Sequence, residues 1–381
     1  MAARRVVSQS KTARRVDIRI GYACINTVLG AQGVTSGRTC RLETASLRGL
    51  DYLRELALQN IADIMPVLRW NLEHDIHFFR LTSDIFPHAA NPRLLEGRCR
   101  SQGWKPVHRS DPSGKWVWRL RPGEKGESTT MHKHPGSGLA YSLDFAREAL
   151  GEVGRFARAN GIRLTMHPKQ MNQLGAHSRK VLDDTISDLV MHGLILDMLD
   201  PGMRDPAGCV MVLHGGGAYG DKAGTLARWS RAFRRLPLFV RRRIVLENDE
   251  RIYTVDDLLP VCNRLRIPLV FDTFHHELNP GRDKHGQLRV GRAEPDFLDD
   301  VIRTWQGRGH LRMKLHISQQ CTESRHCGSH SAYVTWFPPW LLKLATREPY
   351  DLMVEAKMKD QAALLLREKM RNSHNKKLVI R

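Results

Sequence analysis

The feature that most constrains this chain is a regular alternation of helix and strand patterns that begins at Tyr141. Segments with the apolar spacing of amphipathic helices alternate there with short runs rich in β-branched residues. Two further strand-like runs come earlier, at residues 18–25 and 77–83, with a long amphipathic helix between them that we predict to end near Asn71. The total is eight β/α units, which is the number found in a TIM barrel.

The strand ends favour a closed barrel over an open, doubly wound sheet. Six successive strands end on a side chain that can bind a metal ion: His167, His214, Glu247, Asp272, His316 and Glu355. An open sheet concentrates its site at one switch point, whereas a barrel uses the carboxyl ends of nearly all its strands. We therefore predict a single α/β domain with a TIM (β/α)8 fold.

The domain boundaries follow from where this periodicity stops. We assign residues 18–371 to the barrel, 1–17 to a basic amino-terminal arm and 372–381 to a basic carboxyl-terminal tail. Residues 92–140 lack periodicity, and they interleave tryptophans with lysines and arginines. This insertion after the second strand is either a surface addition with a small apolar cluster or a surface that stacks on bases and holds phosphates.

Charge and cysteine content narrow the partners and the compartment. The formal net charge is +20, which favours an anionic partner such as nucleic acid over a small neutral substrate. Seven scattered cysteines fit reduced thiols better than a disulfide framework. The first ten residues lack an apolar signal core, and no run approaches about 20 apolar residues. We expect a soluble cytoplasmic monomer, or a nuclear one in a eukaryote, with no membrane association.

The candidate ligands define the chemistry of the predicted site. His275 and His330 extend the strand-end set to eight side chains, namely five imidazoles and three carboxylates. Nitrogen-rich sets of this kind suit Zn²⁺ or Mn²⁺ better than Ca²⁺. Because eight ligands exceed the need of one ion, we predict two or three divalent ions with Glu247 bridging them. Closely spaced ions of this type favour phosphoester hydrolysis.

Each of these residues also has a purely structural interpretation. A histidine at a strand end is often only hydrogen bonded, and Asp272 or Glu355 can cap a helix or pair with an arginine. A separate zinc site formed by Cys321, His326, Cys327 and His330 is a further alternative, although its spacing matches no standard finger. Independent structural roles do not explain why the same location recurs on consecutive strands.

Seven stretches of this chain closely resemble the ultraviolet damage endonuclease family, which is related to endonuclease IV. The stretches span residues 18–360 and read RIGY at 19–22, MHP at 166–168 with Gln170, HGGGAYG at 214–220, LENDE at 246–250, FDTFHHELNPGR at 271–282, KLH at 314–316 and VEAK at 354–357. Their combination is far more specific than any single stretch.

The resemblance implies a TIM barrel that holds three metal ions, typically manganese, and cuts DNA immediately 5′ to cyclobutane dimers and 6-4 photoproducts. The products would be a 3′-hydroxyl and a 5′-phosphate. The eight side chains above would be the metal ligands, Glu247 would be catalytic, and Lys314 matches a lysine that can be carboxylated and join the site. The substrate would be double-stranded DNA whose damaged nucleotides leave the stack.

The resemblance also implies which residues meet DNA. Tyr22 and Asn26 match positions near the damaged strand, and Gln170 matches one of two residues that probe the opened duplex. Met171 stands where the family usually has an aromatic probe, Asn91 where it has a histidine, and Lys169 where it has a glycine. Three alternatives stay open: an apurinic/apyrimidinic endonuclease, a metal-dependent sugar isomerase and a non-catalytic basic DNA-binding barrel.

Overall fold

The computed structural model describes residues 16–101, 104–107, 117–120, 139–204, 208–308, 311–373 and 378–380. The strands are β1 (Val16–Ala23), β2 (Phe78–Arg80), β3 (Trp104–Val107), β4 (Val117–Leu120), β5 (Arg163–Thr165), β6 (Met211–His214), β7 (Ile244–Glu247), β8 (Leu269–Asp272), β9 (Met313–Ile317), β10 (Tyr350–Val354) and β11 (Leu378–Ile380).

Helices follow most of these strands. They are α1 (Thr27–Gly30), α2 (Leu42–Ala62), α3 (Ile64–Glu73), α4 (Pro92–Ser101), α5 (Arg147–Ala159), α6 (Arg179–Leu199), α7 (Lys222–Arg235), α8 (Leu238–Arg241), α9 (Val255–Leu265), α10 (Thr273–Leu278), α11 (Leu298–Gln306), α12 (Trp340–Leu344) and α13 (Lys359–Asn372), with a 3-10 turn at Asp144–Ala146. In the described part of the chain, no helix combines the length and apolar character needed to cross a membrane.

Eight parallel strands form the barrel in the order β5-β2-β1-β10-β9-β8-β7-β6. The ring closes between β5 and β6, where Met166 and Met211 form a parallel bridge. The Met166 amide donates to the Val210 carbonyl at 3.0 Å, and the Val212 amide donates to the Met166 carbonyl at 3.0 Å. The predicted TIM (β/α)8 fold is confirmed.

Several boundaries differ from the sequence expectation. The long helix before the second barrel strand is two helices, α2 and α3, that meet at Asp63. The predicted insertion contains the helix α4, the antiparallel pair β3 and β4, and the buried residues Leu139 and Ala140, and its other residues lie outside the described ranges. β1 begins at Val16, inside the predicted amino-terminal arm.

The carboxyl-terminal tail also contains regular structure. β11 pairs in parallel with the start of β1, and Val16 lies opposite Leu378. Ile380 is 2% exposed and completes the apolar core at this point. A tripeptide at the end of a basic segment gives no periodicity, so the strand is specified by its pairing with β1 rather than by its own pattern.

The barrel interior is polar at both ends and apolar in the middle. Side chains alternate across a strand, so Asp351, Met353 and Glu355 point to one face of β10. Met353 packs with Phe78 and Ala23 in a small cluster separate from the main core. This thin apolar layer divides the amino end of the barrel from the carboxyl end.

The amino end is filled by buried ion pairs. Asp351 is 0% exposed, and its two carboxylate oxygens lie 2.9 Å from Arg163 Nη1 and 2.6 Å from Arg312 Nε. Burial alone would raise the pKa of Asp351, but the guanidiniums of Arg312, Arg163 and Arg19 together hold it below the usual value. The ion pairs of Asp351 thus lie at the amino end of β10, whereas the candidate ligand Glu355 directly follows the carboxyl end of the same strand.

Candidate metal centre

Glu247, the last residue of β7, is completely buried at the centre of the carboxyl end. Its Oε2 lies 3.0 Å from His167 Nε2 and 3.7 Å from His214 Nε2. Its Oε1 lies 2.7 Å from His316 Nδ1 and 3.6 Å from His275 Nδ1. Four predicted imidazoles therefore surround one carboxylate, as expected for a group that bridges two ions.

The strand register aligns these groups as two pairs on neighbouring strands. His214 pairs with Glu247 across β6 and β7, and Asp272 pairs with His316 across β8 and β9. The turn after His214 must approach closely, because a Cβ atom on Gly215 would lie 2.3 Å from Cδ2 of Tyr253. This glycine lets the chain leave β6 beside the Tyr253 ring.

Backbone carbonyls fix two of the imidazoles. His167 Nδ1 lies 3.1 Å from the carbonyl of Pro168, and His275 Nδ1 lies 2.9 Å from the carbonyl of Asn248. A carbonyl only accepts, so each Nδ1 carries a proton, and Nε2 is the ligand atom when the imidazole is neutral. His167 Nε2 then faces a carboxylate oxygen, a contact that a shared cation would stabilise. Hydrogen bonds of this kind commonly orient metal-bound histidines.

Asp272 caps a helix and also offers an oxygen to a metal ion, so both of its predicted roles are compatible with the structure. Its Oδ1 caps α10 by accepting from the amides of Phe274 at 2.8 Å and His275 at 2.9 Å. Its Oδ2 is buried, has no hydrogen-bond partner within the described ranges, and lies 3.8 Å from His275 Nδ1. One oxygen therefore fixes the helix start, and the other remains available to an ion.

Glu355 likewise has both roles that the sequence left open. It forms an ion pair with Nη1 of Arg80, and its Oε1 lies 3.2 Å from His316 Nδ1. Burial would raise the pKa of Glu355, but Arg80 and the nearby imidazoles hold it well below the usual range. Glu355 is therefore a carboxylate that faces the site while its charge is offset by Arg80.

The electrostatics of the remaining groups fit cation binding. Burial lowers the pKa of His214 to about 4 and holds the pKa of His167 and His316 well below the usual value. Burial opposes the charge of His275, but four nearby carboxylates, Asp272 foremost, raise its pKa to about 9. Burial thus disfavours the charged form of His167, His214 and His316, as metal ligation requires, whereas the carboxylates around His275 favour a positive charge at that point.

Lys314 lies two residues before His316 on the same face of β9. It is fully buried, its Nζ has no hydrogen-bond partner in the described part of the chain, and the amine is 5.6 Å from the centre of the Phe78 ring. Burial, and next the charge of Arg80, hold the pKa of Lys314 well below the usual value. Burial thus disfavours the charged form of this amine, which lies two residues before His316 on the inner face of β9.

Donor type, spacing and unpaired atoms together fit divalent ions. Two groups offer one ligand atom per residue within 4.8 Å of each other, namely His167, His214 and Glu247, and Glu247, Asp272 and His275. Glu247 belongs to both. His214 Nδ1, Asp272 Oδ2 and His316 Nε2 are buried atoms without hydrogen-bond partners among the described residues. Buried polar atoms rarely stay unpaired unless an ion or water completes the site.

His330 lies at the edge of this centre. It belongs to neither three-residue group, it packs edge-on against Phe274 at 5.9 Å, and its charge helps to lower the pKa of Glu355. Among the described residues, Cys321, His326, Cys327 and His330 do not bring ligand atoms within 4.8 Å of each other. The separate zinc site considered from the sequence is therefore not formed in this structure.

Three of the predicted DNA contacts lie at the surface near the carboxyl end. Gln170 and Met171 are exposed in the loop after β5, and Met171 is 74% exposed. Asn91 and Met171 line one cleft of about 820 Å³. Asn91 Nδ2 lies 3.0 Å from Nδ1 of His88, which fixes the turn into α4.

Tyr22 and Asn26 instead have internal partners. Tyr22 is 0% exposed, and its hydroxyl donates to Oδ1 of Asn71 at 2.7 Å and accepts from Nδ2 of Asn26 at 2.9 Å. Asn26 is 2% exposed and caps α1. Their contact with DNA stays a prediction, and in this structure the pair fixes the segment that leaves β1.

Sequence reasoning missed three groups that complete the centre. Arg80 is the last residue of β2, just as the candidate ligands lie at the ends of their strands. It was not predicted, because a guanidinium does not bind metal ions. Asn248 directly follows Glu247, and its Oδ1 accepts from the Asp272 amide at 2.9 Å. Glu250 Oε2 lies 3.8 Å from His275 Nε2, and its place in the LENDE stretch was the available signal.

Comparisons with known proteins identify the family. The model of the family described as "UV-endonuclease UvdE" matches residues 18–99 and 127–380. A "Putative UV-damage endonuclease" of Acanthamoeba polyphaga mimivirus is 33% identical over 349 residues, covering 91% of this chain and 89% of the relative. A "UV DNA damage endonuclease" of Bacillus velezensis is 33% identical over 353 residues, covering 91% of each chain.

Two further comparisons concern length and fold. A "UV-damage endonuclease" of Schizosaccharomyces pombe is 32% identical over 354 residues. The aligned region covers 91% of this chain but 50% of that relative's length. The crystal structure of SacUVDE matches with a TM-score of 0.68 at 24% sequence identity, covering 93% of this chain and 99% of the other. The resemblance noted in the strand-end motifs is confirmed. Because the family model and these relatives span most of the sequence, the chain belongs to the UV-endonuclease UvdE family.

Proposed function

We propose that this chain hydrolyses the phosphodiester bond immediately 5′ to cyclobutane dimers and 6-4 photoproducts in double-stranded DNA, leaving a 3′-hydroxyl and a 5′-phosphate. The proposed enzyme is a monomer that uses two or three divalent ions, Mn²⁺ foremost, and works in the compartment that holds the DNA. Membership of the family supports the coarser statement, a DNA-repair endonuclease. The cleavage position, the lesions and the ion are the finer parts of the proposal.

The observation that carries the proposal is the meeting of His167, His214, His275 and His316 around the Glu247 carboxylate. Divalent ions held there would act as Lewis acids that activate water near neutral pH and offset the charge of the phosphodiester. A phosphodiester needs both effects, since it is an anion attacked by a weak nucleophile.

The protein side chains have separate roles around that chemistry. Glu247 joins the two candidate ion sites, and Asp272, fixed by its α10 cap, contributes an oxygen to one of them. The Arg80 guanidinium neutralises Glu355 and keeps that carboxylate ionised beside the site. The lowered pKa of Lys314 supports the proposed carboxylation, because only an unprotonated amine reacts with carbon dioxide.

The loop after β5 supports the assignment of damaged DNA. Exposed Gln170 and Met171 can enter a duplex where a photoproduct has already weakened pairing, which lowers the cost of moving nucleotides out of the stack. Lys169 Nζ lies 2.8 Å from Asp84 Oδ1, so the loop is attached to the segment after β2. A tethered loop loses less conformational entropy when it inserts.

The direct test uses three labelled duplexes of one sequence, bearing a single defined photoproduct, a single abasic site or no damage. With Mn²⁺ we expect cutting of the photoproduct duplex at the bond 5′ to the lesion, with ends identified by their susceptibility to phosphatase and terminal transferase. Cutting of the abasic duplex alone would replace the proposal with apurinic/apyrimidinic activity. Binding without cutting would identify a non-catalytic DNA-binding barrel.

The metal requirement is tested in the same assay. Chelation followed by removal of the chelator should abolish cutting, and titration with Mn²⁺, Zn²⁺ or Mg²⁺ should restore it to different extents. Metal analysis of the protein as purified then gives the number of ions per chain. Undiminished cutting by protein shown to be free of metal would refute the proposed chemistry.

A further inference from the structure

A short hairpin at residues 282–292 projects from the carboxyl face between α10 and α11. Arg282 and Leu288 form an antiparallel bridge, and the Asp283 amide donates to the Gln287 carbonyl at 2.8 Å. The Asp283 carboxylate accepts from the amides of His285 at 2.9 Å and Gln287 at 2.8 Å. These bonds give the hairpin a defined shape and present Lys284 and His285 at its exposed tip.

The base of the hairpin is fixed to the barrel. The Arg289 guanidinium donates from Nε to Asp296 at 2.6 Å and from Nη2 to Asp256 at 3.1 Å, and it lies 4.9 Å from the centre of the Phe297 ring. A Cβ atom on Gly291 would lie 2.6 Å from the Glu277 Cα, so the backbone packs closely at this point. The hairpin is therefore held at both ends of its second arm.

The residues on either side of Arg289 point the other way. Leu288 is 66% exposed and Val290 is 73% exposed, as expected from the alternation of an extended segment whose Arg289 faces inward. Trp336, from the loop between β9 and α12, is 40% exposed, and the Arg292 guanidinium lies 4.7 Å from its ring centre. Leu288, Val290, Arg292 and Trp336, together with the tip residue Lys284, form what we call the rim surface.

The strand order places the rim surface across the barrel mouth from the Gln170–Met171 loop. β5, which precedes that loop, is four strands from β9 in either direction around the ring, and β8 is the neighbour of β9. The metal centre lies between the two. A duplex that crosses the mouth along this line would bring a phosphodiester to the centre and contact both edges.

From this placement we propose that the rim surface binds the flank of duplex DNA that lies on the other side of the cleavage site from Gln170 and Met171. The inference rests on the proposed function, and it adds a second contact region for the same substrate. Leu288, Val290 and Trp336 would cover sugars in the minor groove, where apolar side chains are often found, and Lys284 would bind phosphate. The fixed base lets the hairpin do so without ordering a loop on binding.

The test compares three full-length variants by fluorescence anisotropy on undamaged and photoproduct duplexes. The double change Leu288→Ser with Val290→Ser should weaken binding about tenfold on both duplexes, and Lys284→Ala should lower the slope of log affinity against log salt by about one. The control is Leu238→Ser, because Leu238 is 67% exposed but lies in α8, in the connection that enters β7 at its amino end. Circular dichroism and thermal melts establish that each variant is folded.

Duplex length supplies a second measurement. Shortening one flank of the duplex should make wild type bind as weakly as the double variant, and shortening the other flank should preserve the tenfold difference. Equal affinities of the wild type and the double variant on long duplexes would overturn the inference. Because the rim contact does not involve the lesion, the undamaged duplex decides it even if the photoproduct is not cut, which would refute only the proposed function.

Discussion

Replacing Glu247 with glutamine is the most informative perturbation of the metal centre. The amide has nearly the same shape but lacks the charge that joins the two candidate ion sites. Charge stabilisation by bound ions contributes several kcal/mol to such reactions, so losing about 4 kcal/mol would slow incision about 1,000-fold. We expect DNA affinity to change little, since Glu247 is buried and most of the proposed duplex contacts are made by exposed side chains outside the centre.

The same variant should also differ from the wild type in how much Mn²⁺ raises its melting temperature, which an activity assay does not measure. An ion at 100 times its dissociation constant stabilises the fold by about 2.7 kcal/mol. An unfolding entropy of about 2.1 cal/mol/K per residue over 381 residues gives about 0.8 kcal/mol/K, so Mn²⁺ should raise the wild-type melting temperature by about 3 °C. In Glu247→Gln this rise should largely disappear.

The assay is differential scanning calorimetry with and without Mn²⁺, run beside single-turnover incision. The control is Glu250→Gln, which alters a neighbouring carboxylate that lies 3.8 Å from His275 Nε2 and belongs to neither three-residue ligand group among the described residues. That control should retain most of the metal-dependent rise. A Glu247→Gln variant that cuts at the wild-type rate and keeps the full rise would refute the assignment of Glu247 as the shared ligand.

Three other predictions test separate parts of the structure. Arg80→Met leaves Glu355 without its ion-pair partner, which should cost about 3 kcal/mol in metal-free protein, and calorimetry should show that Mn²⁺ recovers part of this loss. Asp351→Asn should cost about 3–5 kcal/mol in urea unfolding at pH 7. Because the pKa of Asp351 is lowered on folding, its contribution is complete above the unfolded value of about 3.9 and is lost as the pH falls through the folded pKa, so the two proteins should converge in acid. Met171→Tyr should strengthen binding of a photoproduct duplex about fivefold, equivalent to about 1 kcal/mol of stacking, while an unchanged affinity would exclude Met171 from the opened duplex.

The sequence predicted the fold and most of the centre because both depend on periodic signals. Eight β/α units predicted the barrel, and the strand ends predicted which imidazoles and carboxylates meet at its carboxyl end. Neither prediction requires knowledge of long-range contacts, and metal binding by these side chains stays a prediction. The dual role of Asp272 was accessible only as two competing alternatives, since the sequence cannot show that one oxygen caps α10 while the other points into the barrel.

Features that depend on pairing between distant segments could not be predicted. Arg80 becomes part of the centre only because β2 and β10 both flank β1, which brings it to Glu355. β11 is specified by the edge that β1 offers, and Tyr22 is buried because Asn71 and Asn26 meet its hydroxyl. In each case the neighbouring sequence would also fit an exposed side chain or segment. Its burial depends on contacts with residues that are distant in the sequence.

The single bridge between Met166 and Met211 has a mechanical consequence. In the described chain it is the thinnest seam of the barrel, and His167 and His214, whose rings lie 5.0 Å apart, flank it from either side. An ion bound by both imidazoles would therefore link β5 to β6 at the junction that has the fewest backbone pairs among the described strands. Amide hydrogens at Met166 and Val212 would then exchange with solvent more slowly in the metal-bound protein. Metal binding and the stability of the junction between β5 and β6 would therefore be coupled.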